Sequence, residues 1–254
     1  MMGEAANAAM KEKRAREHAK TNTVAVDLVD FVIDAIFPFL YDATEILDIG
    51  CGAGRNTLSI AQKLPDGARI QAIDISLEAI YTLQMQSAFQ FANVNAGVMD
   101  MDEIPQSFAH KRYDAIISLY AIHYSRDMAD LLRRLRSLLS PGGVVFICGH
   151  GAGTNQELID IANLPSVKDF FLPSHRKALE DTYSISLSYR LENKARFRKA
   201  DQFLSWYRHH ELFDDEALPC IKTAVEKEIR RKGHFELTKN TQGVALIAEG
   251  ETTR

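Results

Sequence analysis

Three alternating glycines stand between an acid and a helix in Asp48-Ile49-Gly50-Cys51-Gly52-Ala53-Gly54-Arg55-Asn56-Thr57. Glycines at such a junction let the backbone turn sharply and come close to a ligand. A helix starting behind them offers free N–H groups and the positive end of its dipole. Asp48 adds an acceptor for a cationic or amino group. Together these suit a zwitterionic, nucleotide-like ligand better than a phosphate. Asp74 follows Gly54 by twenty residues, and an acid there can accept both hydroxyls of a ribose. A dinucleotide site would need Gly-x-Gly-x-x-Gly, and Arg55 occupies the place of its third glycine. Cys51 reads as a small packing residue rather than a nucleophile.

These residues need elements to hold them. Ile46 to Ile49 is a short apolar strand signal running into the glycines, with a helix expected over Thr57 to Leu64. Arg69 to Ile73 reads as a second strand ending at Asp74. Val94 to Met99 is a weak third, followed by Asp100-Met101. Tyr113 to Leu119 is a fourth, leading to Tyr120-Ala121-Ile122-His123-Tyr124. A helix over Asp127 to Leu139, a turn Ser140-Pro141-Gly142-Gly143 and a strand Val144 to Cys148 complete the pattern. Such alternation calls for a parallel sheet with right-handed crossovers and helices on both faces. Ligands bind such sheets at the carboxyl ends of the strands. Gly50, Asp74, Asp100 and Leu119 all fall at such ends, so the candidate residues converge on one crevice.

In order and spacing these segments resemble the motifs of the class I S-adenosylmethionine (SAM) dependent methyltransferases, of the bacterial small-molecule type. The resemblance covers residues 44 to 150 well and the last strands loosely. It implies an α/β fold: a Rossmann-like doubly wound sheet with antiparallel final strand(s) and a helical lid or insertion. It also implies SAM as cofactor and S-adenosylhomocysteine (SAH) as product. The cofactor-binding set would be Asp48, Gly50, Cys51, Gly52, Gly54, Asn56, Thr57, Asp74, Ile75, Asp100, Met101 and Leu119. Asp100 would meet the adenine amino group while an apolar neighbour covers the ring. His123 is the first candidate general base, His150 the second, and Tyr120 would orient the acceptor. Positioning alone can supply on the order of 7–11 kcal/mol in such a transfer. A base adds roughly 10²- to 10⁴-fold where the acceptor keeps its proton. The reaction implied is methylation of O or N on a small molecule, in specialised metabolism. A peptide or protein N-methyltransferase and a non-enzymatic SAM-binding regulator are the alternatives.

The 254 residues suffice for one sizeable domain with an insertion, and the 46% hydrophobic and 25% charged shares are those of a globular protein. A net charge of −4 argues against a dedicated nucleic-acid binder. Cys51, Cys148 and Cys220 form no CxxC pair, which suggests a reducing, cytoplasmic setting and no structural zinc. His209 and His210 lack a Cys/His cluster, so no metal is expected. No apolar run is long enough for a membrane span. Val24 to Tyr41 reads as an amphipathic helix stopped near Pro38. Segment 8 to 23 is expected to close over the cofactor, with Arg16 or Lys20 near its carboxylate, as the resemblance implies. The organisation expected is 1–43 as N-terminal helices covering the site and 44–150 as the core. Residues 151–235 would form a lid for substrate recognition, and 236–254 the final strands and tail. Within the lid, Thr182 to Arg190 alternates like a strand that Lys194 to Lys199 extends or pairs with. Helices over Ala200 to Leu212 and Asp215 to Lys232 follow, with Gly233 as the stop. The aromatic cluster of this segment reads as core more than as substrate wall. A monomer and a homodimer both fit the sequence.

Overall fold

In the computed structural model, residues 28–247 are described apart from 89, 92, 105–107, 109–110, 164–172 and 211. The expectations for segment 8 to 23, Arg16 and Lys20 lie outside the described residues. The described chain divides into two compact units, one of Leu28–Gly149, Phe170–Tyr189 and the stretch from Gln242, the other of His150–Asp169 and Arg190–Thr241.

The first unit is built on a seven-stranded mixed sheet of order β3-β2-β1-β4-β5-β9-β6. The strands are β1 (Glu45–Ile49), β2 (Arg69–Asp74), β3 (Val94–Val98), β4 (Tyr113–Leu119), β5 (Leu139–His150), β6 (Ser184–Leu191) and β9 (Thr241–Ile247). β1 pairs in parallel with β2 and β4, and β3 and β5 extend that parallel core on either side. Strands covered on both faces read as nearly continuous apolar runs, which is why Ile46, Leu47 and Ile49 stand in a row and are fully buried.

Helices cover both faces. On one lie α1 (Leu28–Leu40), α2 (Arg55–Ala61) and α3 (Leu77–Ser87), packing Ile36, Ile60, Ile80 and Leu83 against Ile46, Ile70 and Ile117. On the other lie α4 (Met128–Ser137) and α6 (Pro173–Glu180), where Leu131, Leu132, Leu135 and Leu179 meet Leu47, Ile49 and Ile116. Each such leucine or isoleucine stabilises the fold by about 1.5–3 kcal/mol relative to exposure. The caps set the helix starts: Ser76 accepts the Ala79 N–H, and Asp127 accepts the Asp130 N–H at 2.9 Å.

Several boundaries differ from the sequence reading; the helices expected over 200–212 and 215–232 are Ala200–Tyr207 and Leu218–Lys232. α1 runs through Pro38 to Leu40, because Pro38 lies on the exposed side of the last turn. α2 begins at Arg55, as soon as the last glycine is passed, and ends at Ala61. Ser140-Pro141-Gly142-Gly143 does not precede β5 but lies inside it, absorbed as a register shift between Tyr113↔Leu139 and Ala115↔Val144.

The second unit holds α5 (Gln156–Ala162), α7 (Ala200–Tyr207), α8 (Leu218–Lys232) and a two-stranded antiparallel sheet of β7 (Lys194–Phe197) and β8 (Phe235–Thr238). Phe197, Phe203, Trp206, Tyr207 and Phe235 form its core and are all buried. β7 therefore pairs with β8 and not with the strand at 184–191, which joins the large sheet instead. The two turns after Leu191 and Thr238 allow that separation. α8 ends at Gly233, φ +79°, behind Arg230, Arg231 and Lys232, which suit the negative end of its dipole.

Candidate active site

The glycine turn is built from below. Gly50 and Cys51 both donate their backbone N–H to the Ile73 carbonyl, at 2.8 and 3.1 Å, so the end of β1 is fastened to the end of β2. Asp48 is only 3% exposed, and its Oδ2 accepts the Thr57 hydroxyl at 2.6 Å. That bond ties the strand to the first turn of α2 beneath the glycines. Burial pushes the Asp48 carboxyl up to about 6; the Thr57 bond opposes the shift and the charge of Asp74 adds to it. Asp48 thus acts first as an internal strut.

The three glycines do different work. A Cβ on Gly50 would lie 2.1 Å from the Ala121 Cβ, and one on Gly54 would lie 2.2 Å from Leu83 Cδ1. Both are held bare by packing. Among the described residues, a Cβ on Gly52 would meet nothing within 4 Å, although its φ of +55° is left-handed. Gly52 is the glycine that faces open space. Beside it stands Asp74, whose Oδ2 accepts the Gly52 N–H at 2.9 Å while Oδ1 accepts the Ser76 N–H at 2.8 Å. Each carboxylate oxygen keeps a second acceptor direction. Two large apolar side chains stand at the rim, Ile75 at 49% and Val98 at 50% exposure. Asp74 and Val98 are register partners on β2 and β3.

The Cys51 thiol is pushed far up, by burial first and then by the carboxylates of Asp48 and Asp74, and it points to the Gly52 carbonyl. Partly buried, it packs against the core on the α1–α3 side. Asn56 is half-buried and Arg55 exposed in the first turn of α2. Asp100 Oδ1 accepts the Asp102 N–H at 2.8 Å, and its Oδ2 faces Arg126 Nη2 at 3.2 Å. Met101 packs partly against the α4-side core.

On the far side of the crevice, Leu119 ends β4 and Tyr120 follows with a φ of +59°. Its N–H donates to the Cys148 carbonyl at 2.8 Å, which pins the turn to β5. A bulky residue in the left-handed region stores about 1–2 kcal/mol, and such strain gathers at functional sites. His123 sits in the 3₁₀ turn Ile122–Tyr124, its ring 4.1 Å from that of Tyr124. His150 is the last residue of β5 and the first of the second unit. Gly50, Gly52, Asp74, Asp100, Tyr120 and His123 all belong to the first unit.

The sequence reading missed Asp102, Ser125 and Arg126, which bond to one another between the 100–103 and 122–126 loops. Asp102 reads as a solvated loop acid; only the tertiary pairing sets it apart. His209 bonds the Ser205 carbonyl and His210 bonds Asn155, both within the second unit. Among the described residues no His/Cys/Asp/Glu group has the makings of a metal site, and no helix is long and apolar enough to cross a membrane.

The chain is similar to known methyltransferases. A family model described as a methyltransferase domain matches residues 40–196. A malonyl-[acyl-carrier protein] O-methyltransferase of Priestia megaterium is 27% identical over 157 residues, 60% of this chain and 55% of that one. A polyketide synthase–nonribosomal peptide synthetase of Aspergillus clavatus is 32% identical over 110 residues, 42% of this chain and 3% of that one. The chain thus spans about half the length of the first and a small part of the second. Among solved structures, a phosphoethanolamine N-methyltransferase of Haemonchus contortus in complex with SAH aligns with a TM-score of 0.55 at 17% identity, covering 86% of this chain and 53% of that one.

Proposed function

The chain belongs to the methyltransferase-domain family of class I SAM-dependent enzymes, and from that premise we propose that it transfers a methyl group from SAM to O or N of a small molecule. The observation that carries the reading is the division of labour among the glycines. Gly50 and Gly54 are filled by the protein's own side chains, while Gly52 opens onto empty space beside the Asp74 carboxylate. An amino-acid and ribose backbone fits there, because among the described residues no atom lies within 4 Å of a Cβ built on Gly52. Ile75 and Val98, each about half exposed, supply apolar surface for a planar ring at the rim.

SAM, when bound, supplies a methyl group already activated on a sulfonium. The chain's residues bind, orient and exclude water. Gly52 admits the ligand backbone, Asp74 accepts the ribose hydroxyls, and Met101 with Ile75 encloses the ring. Tyr120, held by Cys148 in its strained conformation, orients the acceptor. His123 takes the acceptor's proton where there is one to lose, with His150 as the second candidate. The similarity to an O-methyltransferase of Priestia and to an N-methyltransferase of Haemonchus supports an O- or N-acceptor. The 30 basic against 34 acidic residues favour a small molecule over nucleic acid.

Calorimetry with SAM and SAH tests the reading. One site for each is expected, with micromolar Kd as a rough figure, and weaker binding in Asp74→Ala. Binding of NAD with none of SAM would sink it.

A further inference from the structure

One carboxylate fastens the nucleoside end of the crevice to its acceptor end. Asp102 lies in the helical turn Met101–Glu103, directly after the Asp100-Met101 pair. Its Oδ1 accepts the Ser125 hydroxyl at 2.5 Å. Its Oδ2 accepts the Arg126 backbone N–H at 2.8 Å and the Arg126 Nε–H at 3.0 Å. Ser125 and Arg126 follow directly on the turn Ile122–Tyr124, which carries His123. Both oxygens of Asp102 are engaged, and its side chain is only 9% exposed.

An isolated ion pair on the surface contributes little, and Arg126, 67% exposed, would form no more than that with Asp100 alone. The bonds to Asp102 differ in kind. They are charge-assisted, shared between side chain and backbone, and made by a carboxylate that is itself only 9% exposed. Burial by itself would raise the Asp102 carboxyl, yet the Ser125 and Arg126 bonds hold it below the usual carboxylate range. The circuit closes at Asp100, whose Oδ1 accepts the Asp102 N–H at 2.8 Å and whose Oδ2 faces Arg126 Nη2 at 3.2 Å. Asp100 is the residue that an incoming adenine amino group would meet.

We propose that Asp102 is a positioning residue that couples cofactor binding to the placement of His123. An amino group arriving at Asp100 shares the carboxylate that Arg126 now faces. Arg126 readjusts, and Asp102, gripping Arg126 and Ser125 together, passes the change to the turn bearing His123. The inference rests on the SAM reading above and adds to it a physical link between the two ends of the site. A demonstrated link, rather than proximity, is what establishes coupling.

The experiment uses the full chain with ¹³C-labelled histidine rings and SAH as the ligand. The His123 ring signal is assigned by its loss in His123→Gln. In the parent that signal should move on saturation with SAH. In Asp102→Asn, SAH should still bind within about threefold of the parent by calorimetry, while the His123 movement falls below half. Ser125→Ala, which removes one hydroxyl only, should give an intermediate loss and decides the matter if Asp102→Asn does not fold. A His123 signal that is unmoved in the parent, or moves equally in parent and variants, overturns the coupling and leaves the cofactor reading intact. Loss of SAH binding in Asp102→Asn, with the fold retained, makes Asp102 a binding residue and overturns it too. A parent that does not bind SAH overturns the cofactor reading and the coupling with it.

Discussion

Asp48 is an acid under a glycine turn with a hydroxyl for its partner, and its energetics follow from burial. Its carboxyl titrates near 6 in the folded chain against 3.8 for the ordinary group. The folded state therefore binds this proton over a range where the unfolded state has already lost it. Stability from Asp48 is fully present below pH 3.8 and is lost as pH rises through about 6, on the order of 3 kcal/mol in all. Asp48→Asn keeps an acceptor for Thr57 without the charge. It should be more favourable relative to the parent at pH 7.5 than at pH 4.5 in urea titrations; an equal difference at both would show that the carboxyl is not strained by burial. The glycines give a second test. Gly50→Ala forces a Cβ to within 2.1 Å of Ala121 at a φ of +73°, and should cost about 2–4 kcal/mol of stability. Gly52→Ala meets no atom of the described residues within 4 Å and should cost only about 1 kcal/mol of backbone strain, with its larger effect on SAH binding. Glycine at all three positions is plain in the sequence. Which of them is left open is not, because that depends on Ala121 and Leu83, far away in the chain.

At the scale of elements, the sheet edge is seated by one glycine and one tyrosine. A Cβ on Gly243 of β9 would lie 2.2 Å from the Tyr189 ring of β6, and that ring stacks on Phe146 of β5 at 5.8 Å. Gly243→Ala should therefore destabilise the chain by roughly 1–3 kcal/mol through overpacking. In Tyr189→Ala the same glycine change should be nearly neutral, giving a coupling energy above about 1 kcal/mol in a double-mutant cycle. Additive effects would mean that the ring does not occupy that slot. The strand period of 182–190 is legible in its alternation of apolar and serine residues, and the burial of β6 does alternate. Its partner is not legible. A strand's own residues specify a half-buried ribbon, and the choice between β7 and β9 as neighbour is made by long-range packing.

For the whole molecule, the partition into two units assigns separate tasks to separate cores. The residues proposed to hold the cofactor lie in the unit with the seven-stranded sheet, while Trp206, the chain's one tryptophan, lies in the aromatic core of the other. Phe203 touches Phe197, Trp206, Tyr207 and Phe235 in that core. Phe203→Ala should cost that unit about 3–5 kcal/mol and shift the denaturation midpoint of Trp206 fluorescence. SAH affinity, measured in buffer where the variant is folded, should stay within about threefold of the parent. A collapse of SAH affinity would place cofactor contacts in the aromatic unit.

The sequence by itself determined what is local. Apolar runs of strand length and glycines at the first turn state their conformation through sterics and hydrogen bonding among neighbours. With them come the parallel character of the central strands and the acids at their ends. Only the tertiary structure decided what each of those acids bonds to. Asp48 turned inward to Thr57, Asp74 took two backbone N–H groups, and Asp102 joined Ser125 and Arg126 across the crevice. A carboxylate looks the same in the chain whether it will face water, a ligand or a distant loop. The difference is set by which donors folding brings within hydrogen-bond reach, and those come from segments that no local pattern connects.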